Sequence, residues 1–412
     1  MPSENNSVPK ATWVVCQIGA REHYAIARGL HAESRLKQLI TDLWISPGFP
    51  LLQIPANSTR RLQGRYHPDL AELTPLAPNV RSIVRESVSR IRPSANRSPW
   101  QNTISRNDWF AGYCGKMLRK LHETTDQQLT VFAYSYAALS VFRVARELGH
   151  KTVLGQIDAG LGHQHIVEAA YAANPEWGSP QLPPKCYWDN WQEECRLADR
   201  IIVNSKYSQE KIINDGHVDS SKTEVIPVAY ESSAHDIPDP LVKAFSHQSP
   251  MRVLMIGRAT LEKGMGVLLE ASKLLVGFPI IFDIVGSAHS VPANLRNGEN
   301  LRWHGHVPRS DVHKYYSQAS VMVFPTLSDG FGLTQLEAQN RGLPVIASSN
   351  CGDVVTNNLN GIVLQHNTAE ELSHTLRRCC EEPDLLKSWS QNSGCPDIYS
   401  LHKVTKQLTN AA

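Results

Sequence analysis

Two stretches of this 412-residue chain carry residue types spaced to hold a diphosphate. The first is Phe324-Pro-Thr-Leu-Ser-Asp-Gly-Phe-Gly-Leu-Thr-Gln-Leu-Glu-Ala338. An apolar run ends there, a loop with Gly330 and Gly332 follows, and a helical pattern opens near Leu333. Glycines let backbone approach a ligand closely, and the free N–H groups of a first helical turn suit an anion. Asp329 and Glu337 flank that turn. Carboxylates repel phosphate, yet they accept hydrogen bonds from hydroxyls attached to it, as on a ribose and a sugar. The second stretch is Val253-Leu-Met-Ile-Gly-Arg-Ala-Thr-Leu-Glu-Lys-Gly264, where Arg258 offers a fork and Lys263 a point charge. Taken singly, each residue has an ordinary explanation. Asp329 is a turn residue, Glu337 a first-turn partner of the helix dipole, and Lys263-Gly264 a solvated helix entry.

Something must bring these stretches to one place. Short β-branched runs alternate with helical patterns along most of the chain, as a parallel sheet covered on both faces requires. Strands are expected at Trp13–Ile18, Leu39–Trp44, Thr130–Tyr134, Lys151–Ile157, Arg200–Asn204 and Thr223–Val228. A second series follows at Arg252–Ile256, Ile280–Val285, Val321–Phe324, Pro344–Ala347 and Gly361–Leu364. Helices are expected at Ala138–Leu148, Ser208–Asp215, Val267–Leu275 and Leu333–Arg341, with Ser205 capping the one that opens at Lys206. Residues 45–110 are Pro- and Arg-rich and suggest one helix. Alternating β and α elements twice over predict an α/β protein of two doubly wound domains. The expected bounds are residues 1–229, a turn-rich linker 230–250, a second domain 251–385, and a terminal segment 386–412. Ligands of open parallel sheets bind beyond the carboxyl ends of the strands. That rule singles out Gly19–Arg21, Asp158, Ser205, Gly257–Lys263 and Pro325–Thr334.

Composition narrows the class. At roughly 150 residues per domain, the length suits two or three domains. An apolar fraction of 41% and a charged fraction of 19% describe a globular chain. Charge is balanced, 41 basic against 39 acidic residues, so whole-chain electrostatics announce no nucleic-acid partner. The apolar run Trp13–Ile18 is short and lacks a basic lead, and reads as a strand, not a signal peptide. No stretch approaches 18 uncharged apolar residues. Eight cysteines without a C-x-x-C pair suggest reduced thiols in the cytoplasm.

The two stretches belong to a longer ordered series. It runs from Gly257-Arg258 and Lys263-Gly264 through Trp303-His-Gly305-His-Val307-Pro, Tyr315-Tyr316 and Phe324-Pro325. It continues with Asp329-Gly-Phe-Gly-Leu333, Leu336-Glu-Ala338, Gly342-x-Pro344, Gly352 and Asn360-Gly361. The first half adds Leu197-Ala-Asp-Arg-Ile-Ile-Val-Asn-Ser205 and Val225-Ile-Pro227. This series resembles glycosyltransferases of family 4, and residues 17–24 and 156–160 are similar to a bacterial surface-polysaccharide branch of it. The resemblance implies a GT-B fold, two Rossmann-like domains facing each other across a cleft, and a terminal helix near Ile398–Leu408 crossing back onto the first. It implies a retaining transfer from a nucleotide sugar to a glycan or lipid-linked acceptor, without a metal. In its terms Arg258 and Lys263 hold the diphosphate, Asp329 contacts the sugar, and Glu337 takes the ribose hydroxyls. Gly257 and the backbone of Gly330, Phe331, Gly332, Leu333 and Thr334 cap the phosphates. His306 and Val307 lie beside the base, and Gly19 serves from the first domain.

The sequence departs from the family at three places. Asp329 stands where Glu is usual, Thr334-Gln335 replaces Pro-Val, and Ile157 occupies the place of a histidine that contacts the donor sugar. Asp158 is the expected substitute, with His163 and His165 as alternatives. The missing histidine also keeps a second class open, a catalytically silent GT-B module that binds a nucleotide sugar or a protein. A nucleotide-sugar epimerase is a further rival. His163-x-His165 and His304-x-His306 have no third partner at metal-ligand spacing, and no metal site is expected. Residues 60–120 hold twelve Lys/Arg against four acids, a net of +8. There Val80, Ile83, Val84, Val88 and Ile91 share a helical face away from Arg81, Arg85 and Arg92. Such a helix suits peripheral contact with an anionic membrane, on the cytoplasmic side, or packing on its own domain.

Overall fold

The computed structural model describes residues 11–48, 62, 64–91, 98–231 and 244–411. The expected linker therefore lies largely outside the described residues, as do the side chains of Val88, Ile91 and Arg92.

The first sheet holds β1 (Thr12–Gln17), β2 (Leu36–Thr41), β3 (Leu129–Tyr134), β4 (Lys151–Gln156), β5 (Arg200–Val203) and β6 (Thr223–Val225) in the order β2-β1-β3-β4-β5-β6. The second holds β7 (Met251–Ile256), β8 (Ile280–Val285), β9 (Leu301–Gly305), β10 (Val321–Phe324), β11 (Val345–Ser348) and β12 (Gly361–Leu364) in the order β12-β11-β10-β7-β8-β9. Every pairing in both sheets is parallel.

Continuous apolarity in the strands has a direct cause. In β1, Val14 and Cys16 point into a core with Phe110, Cys114 and Leu118 of the helix Pro99–His122, while Trp13 and Val15 point the other way, onto Tyr24 and Leu30. The same alternation in β7 sends Val253 and Met255 to one helix layer and Leu254 to the other. Each fully buried Val, Leu or Phe contributes about 1.5–3 kcal/mol, so both faces must be covered. The helix Leu401–Ala411 covers the first sheet, with Val404 and Leu408 in the Trp13 core. It crosses the helix Ala25–Ala32 so tightly that a Cβ on Gly29 would lie 1.8 Å from Thr405 Oγ1.

Several expectations need correction. β2 is Leu36–Thr41, not Leu39–Trp44; after Thr41 the chain leaves the sheet and Trp44 packs edge-on against Tyr24 at 5.4 Å. β9 was absent from the expected strands because its Arg302 and His304 face partly outward and break the apolar run. Among the described residues, 45–110 hold two long helices, Asn79–Ile91 and the start of Pro99–His122. The second domain runs past residue 385, since the helix Pro383–Gln391 buries Leu386 and Trp389 in its core. The basic helix does not pack Val80 and Val84 on its own domain, one of the two expectations for it. Arg85 points inward, donating to Ser105 Oγ at 2.7 Å and lying 5.5 Å over the Trp109 ring, while Val80 and Val84 are 74% and 54% exposed.

Candidate functional site

The order of the second sheet reverses between β7 and β10, and the loops after those strands flank the crevice where α/β sheets take ligands. Both loops are locked together. Thr326 Oγ1 and the Leu327 amide donate to the Glu262 carbonyl at 2.9 and 2.8 Å. Gly264, at φ 78°, ends the short turn Leu261–Lys263 and begins the helix Met265–Leu274; a Cβ there would meet the Pro325 carbonyl at 1.8 Å. Lys263 Nζ then donates to Asp329 Oδ2 at 2.6 Å. Arg258 is 75% exposed and reaches Glu262 Oε1 at 3.3 Å. The Thr260 and Thr334 hydroxyls beside these loops are buried without a partner among the described residues, an exception that calls for a reason.

Gly332, at φ 85°, turns the chain into the helix Leu333–Gln339 and leaves no room for a side chain against Phe324. One turn in, Glu337 faces a cavity of about 780 Å³ lined by Ile256, His306, Val307, Arg309 and Tyr316 among others. Tyr316, itself buried, donates from Oη to Glu337 Oε2 at 2.8 Å, and Arg309 comes within 4.0 Å of Oε1. Burial and the facing carboxylate hold the Tyr316 phenol well above its ordinary range, so it stays a donor. His306, Val307 and Glu337 therefore share one cavity. Arg258, Lys263, Asp329 and Gly330–Thr334 are not among its lining residues; they form the adjoining group at the carboxyl ends of β7 and β10. The cavity's far edge is Glu231, held at 2.7 and 2.6 Å by the buried Arg28 of the first domain.

The first domain closes directly on the glycine loop. Ser205 Oγ, which also caps its helix by accepting from the Ser208 amide, donates to the Gly330 carbonyl at 2.9 Å; Ser208 Oγ does so at 3.2 Å. A Cβ on Gly330 would lie 2.2 Å from the Ile157 carbonyl. Phe331 packs with Val228 and Tyr399 where the chain crosses between domains. Across the cleft His163 Nε2 lies 4.0 Å from Glu262 Oε2.

Three expected site residues are occupied locally. Asp158 Oδ1 accepts from Tyr136 Oη at 2.5 Å, Gly160 N at 2.9 Å and Gln156 Nε2 at 3.1 Å, the bonds of a loop organiser. The Gly19 amide donates to Asp42 Oδ1 at 2.8 Å, and Gly257, at φ 139°, donates its amide to Val285 O. His304 bonds Asp283 at 2.7 Å, and among the described residues no group of three His, Cys, Asp or Glu is placed to hold a metal. Sequence reading missed the serine pair on Gly330, the Tyr316 support of Glu337, and Tyr136, a left-handed residue at φ 73°. A left-handed position costs a bulky residue roughly 1–2 kcal/mol. Tyr316 carried a sequence signal as part of the ordered series, as did Ser205, which the strand-end rule also singled out.

Residues 242–394 match the family model of glycosyl transferases group 1. The match lies in the second half of the chain, across the second sheet, the loops that carry Arg258, Lys263 and Asp329, and the helix that carries Glu337. The Amylovoran biosynthesis glycosyltransferase AmsK of Erwinia amylovora is 27% identical over 61% of this chain and 60% of its own. A 41.2 kDa protein in the cps region of Klebsiella pneumoniae is 25% identical over 48% of this chain and 58% of its own. The alignments thus span about three fifths of these curated relatives. The crystal structure of Anabaena HepE in complex with UDP superimposes over 97% of this chain and 98% of its own, with a TM-score of 0.60 at 16% identity. The fold is GT-B. No helix among the described residues is long and apolar enough to cross a membrane.

Proposed function

We propose that the protein is a retaining glycosyltransferase of the family 4 type, moving a hexose from a nucleoside-diphosphate sugar to a glycan or lipid-linked acceptor in polysaccharide biosynthesis. The observation that carries this reading is the arrangement at the β7/β10 crevice: a carboxylate, Glu337, inside a nucleoside-sized cavity, with Arg258 and the Lys263–Asp329 pair beside it. The ribose hydroxyls donate to Glu337, while Val307 and Ile256 cover the base. Arg258, tethered only loosely, turns onto the diphosphate, and Lys263 follows. These cations supply the charge that a metal ion supplies in other transferases, so no metal is needed. As the bond from the sugar C1 to the β-phosphate oxygen breaks, negative charge grows on that phosphate and the cations stabilise it. The acceptor hydroxyl attacks C1 from the same face and passes its proton to the departing phosphate oxygen. Atoms balance without a separate base, which suits a site whose Asp158 is engaged in its own loop.

The reading places the work in the cytoplasm, at the inner face of the membrane. All eight cysteines are unpaired thiols. The exposed Val80 and Val84, together with the exposed Arg81, supply an apolar edge and charge for anionic lipid. Thermal protection by uridine, guanosine and adenosine diphosphates, with and without a chelator, tests the donor site. Incubation with the matching nucleotide sugars should then show slow donor hydrolysis. Protection by none of the three would refute the reading, and protection abolished by the chelator would refute its metal-free form. Binding without hydrolysis or transfer would favour the silent module.

A further inference from the structure

The first sheet also reverses its strand order, between β1 and β3, so the loops after these strands flank a second crevice opposite the nucleotide cavity. Both loops hold uncommon backbone. Glu22, His23 and Tyr24 follow one another at φ 50, 50 and 61°, and Tyr136 lies at φ 73°. Strain of this kind persists only where the surroundings over-determine it, and it gathers at sites that bind.

Tyr136 is fixed from three sides. Its amide donates to Glu194 Oε2 at 2.7 Å and its hydroxyl to Asp158 at 2.5 Å. Its ring stacks on Tyr187, with centroids 4.7 Å apart and planes at 16°. The row continues from Tyr187 to Trp100 at 5.0 Å. At its inner end a Cβ on Gly330 would lie 3.1 Å from the Asp158 Cα, so the row starts at the transfer cleft and leads outward across the first domain. Trp100, Tyr136 and Tyr187 are all half-buried, and the Trp100 indole N–H donates to the Gln181 carbonyl at 2.9 Å.

We propose that this aromatic row is an acceptor subsite for an oligosaccharide, whose pyranose rings lay their apolar C–H faces on Tyr187 and Trp100 while the terminal sugar enters the cleft at Asp158. Aromatic rings offer large apolar area at little entropic cost, and the Asp158 and Gln156 side chains at the inner end of the row match the hydroxyl rim of a sugar. An aliphatic lipid chain lacks the flat C–H face that stacks on such rings. The inference rests on the transferase reading, whose acceptor it narrows to a chain of sugars.

Maltohexaose, isomaltohexaose and cellohexaose, with glucose as the one-sugar control, are titrated against tryptophan fluorescence. At least one hexaose should bind ten times more tightly than glucose. Trp100→Ala and Tyr187→Ala should each weaken that binding roughly tenfold, and Tyr187→Phe should leave it unchanged. Calorimetry with UDP and GDP should show the same nucleotide affinity in all four proteins. Trp100 is the second residue of its helix, so its truncation remains a test even where Tyr187→Ala unfolds the chain. No hexaose binding above glucose, or equal binding by both alanine variants, overturns the subsite and leaves the transferase reading standing. Loss of nucleotide binding in the wild type overturns the transferase reading itself.

Discussion

Arg258 and Lys263 should separate cleanly on mutation, because the structure gives them different burdens. Arg258 is 75% exposed, and its contact with Glu262 at 3.3 Å is a surface pair. Such pairs are worth at most about 1 kcal/mol, so Arg258→Ala should lower Tm by less than about 3 °C. If its guanidinium stabilises the departing phosphate, turnover should nevertheless fall by about 10²–10³, the usual effect of removing one preorganised donor. Lys263 is three-quarters buried and bonded at 2.6 Å to Asp329, which is more buried still. Lys263→Ala leaves that carboxylate without a counter-charge, a loss of about 1–3 kcal/mol, and should reduce stability and turnover together. Adding Asp329→Asn removes the stranded charge. The double variant should regain Tm but not rate, a non-additive pair in stability. Donor hydrolysis and acceptor transfer followed beside differential scanning calorimetry give both quantities. Turnover of Arg258→Ala within threefold of wild type, or restored rate in the double variant, would refute the assignment.

Other consequences are as direct. Glu337→Gln should weaken nucleoside diphosphate binding by about 10–100-fold in calorimetry, since it exchanges two charge-assisted hydrogen bonds for neutral ones; an unchanged Kd removes Glu337 from the site. Gly330→Ala puts a Cβ 2.2 Å from the Ile157 carbonyl, and should open the two domains, seen as a larger radius of gyration in solution scattering and slower transfer. An unchanged radius and rate would show the close approach to be dispensable. Burial pushes the Glu194 carboxyl up to about 7, against the pull of three amide donors, and burial likewise raises Glu22 to about 7. A raised carboxyl stabilises the fold fully below its unfolded value near 4.5 and loses that contribution as pH climbs through 7, for Glu194 on the order of 3 kcal/mol. Urea midpoints should therefore fall between pH 4.5 and 7, and Glu194→Gln should flatten the slope; the same slope in the variant counts against it.

Strand positions were legible wherever the strand is covered on both faces. Val14 to Cys16, Val153-Leu154 and Val321 to Phe324 are buried throughout and read as unbroken apolar runs. β9 escaped because its edge position leaves Arg302 and His304 partly in water. The helix Asn79–Ile91 shows the limit of periodicity. Its pattern separates valines from arginines, but pattern alone does not say which face meets the protein. Arg85 is inward because Ser105 and the Trp109 ring accept it there. In the second domain, residue types and order brought Glu337, His306 and Val307 to one cavity. The pairing of Lys263 with Asp329 was not legible, since two residues 66 apart both read as ligand groups rather than as partners.

The two halves of the cleft differ in how their chemistry is encoded, and this bears on what each does. The Glu337 side is drawn mainly from loops after β7, β9 and β10 and the helix Leu333–Gln339 of the second domain, and its backbone is fixed by glycines at positive φ and by bonds to Glu262 O. Such a site resists change, because a side chain at Gly264 or Gly332 collides with backbone or ring. The other side is assembled from Glu22, Tyr136, Asp158 and Tyr187, four separate segments held by side chains. Side-chain contacts can be exchanged one at a time without moving a strand. In the proposed transferase that division would let the acceptor side change without disturbing the donor side. The left-handed backbone at Glu22–Tyr24 and Tyr136 marks where the side-chain-built half is fixed, by the Glu194 carboxylate in the case of Tyr136.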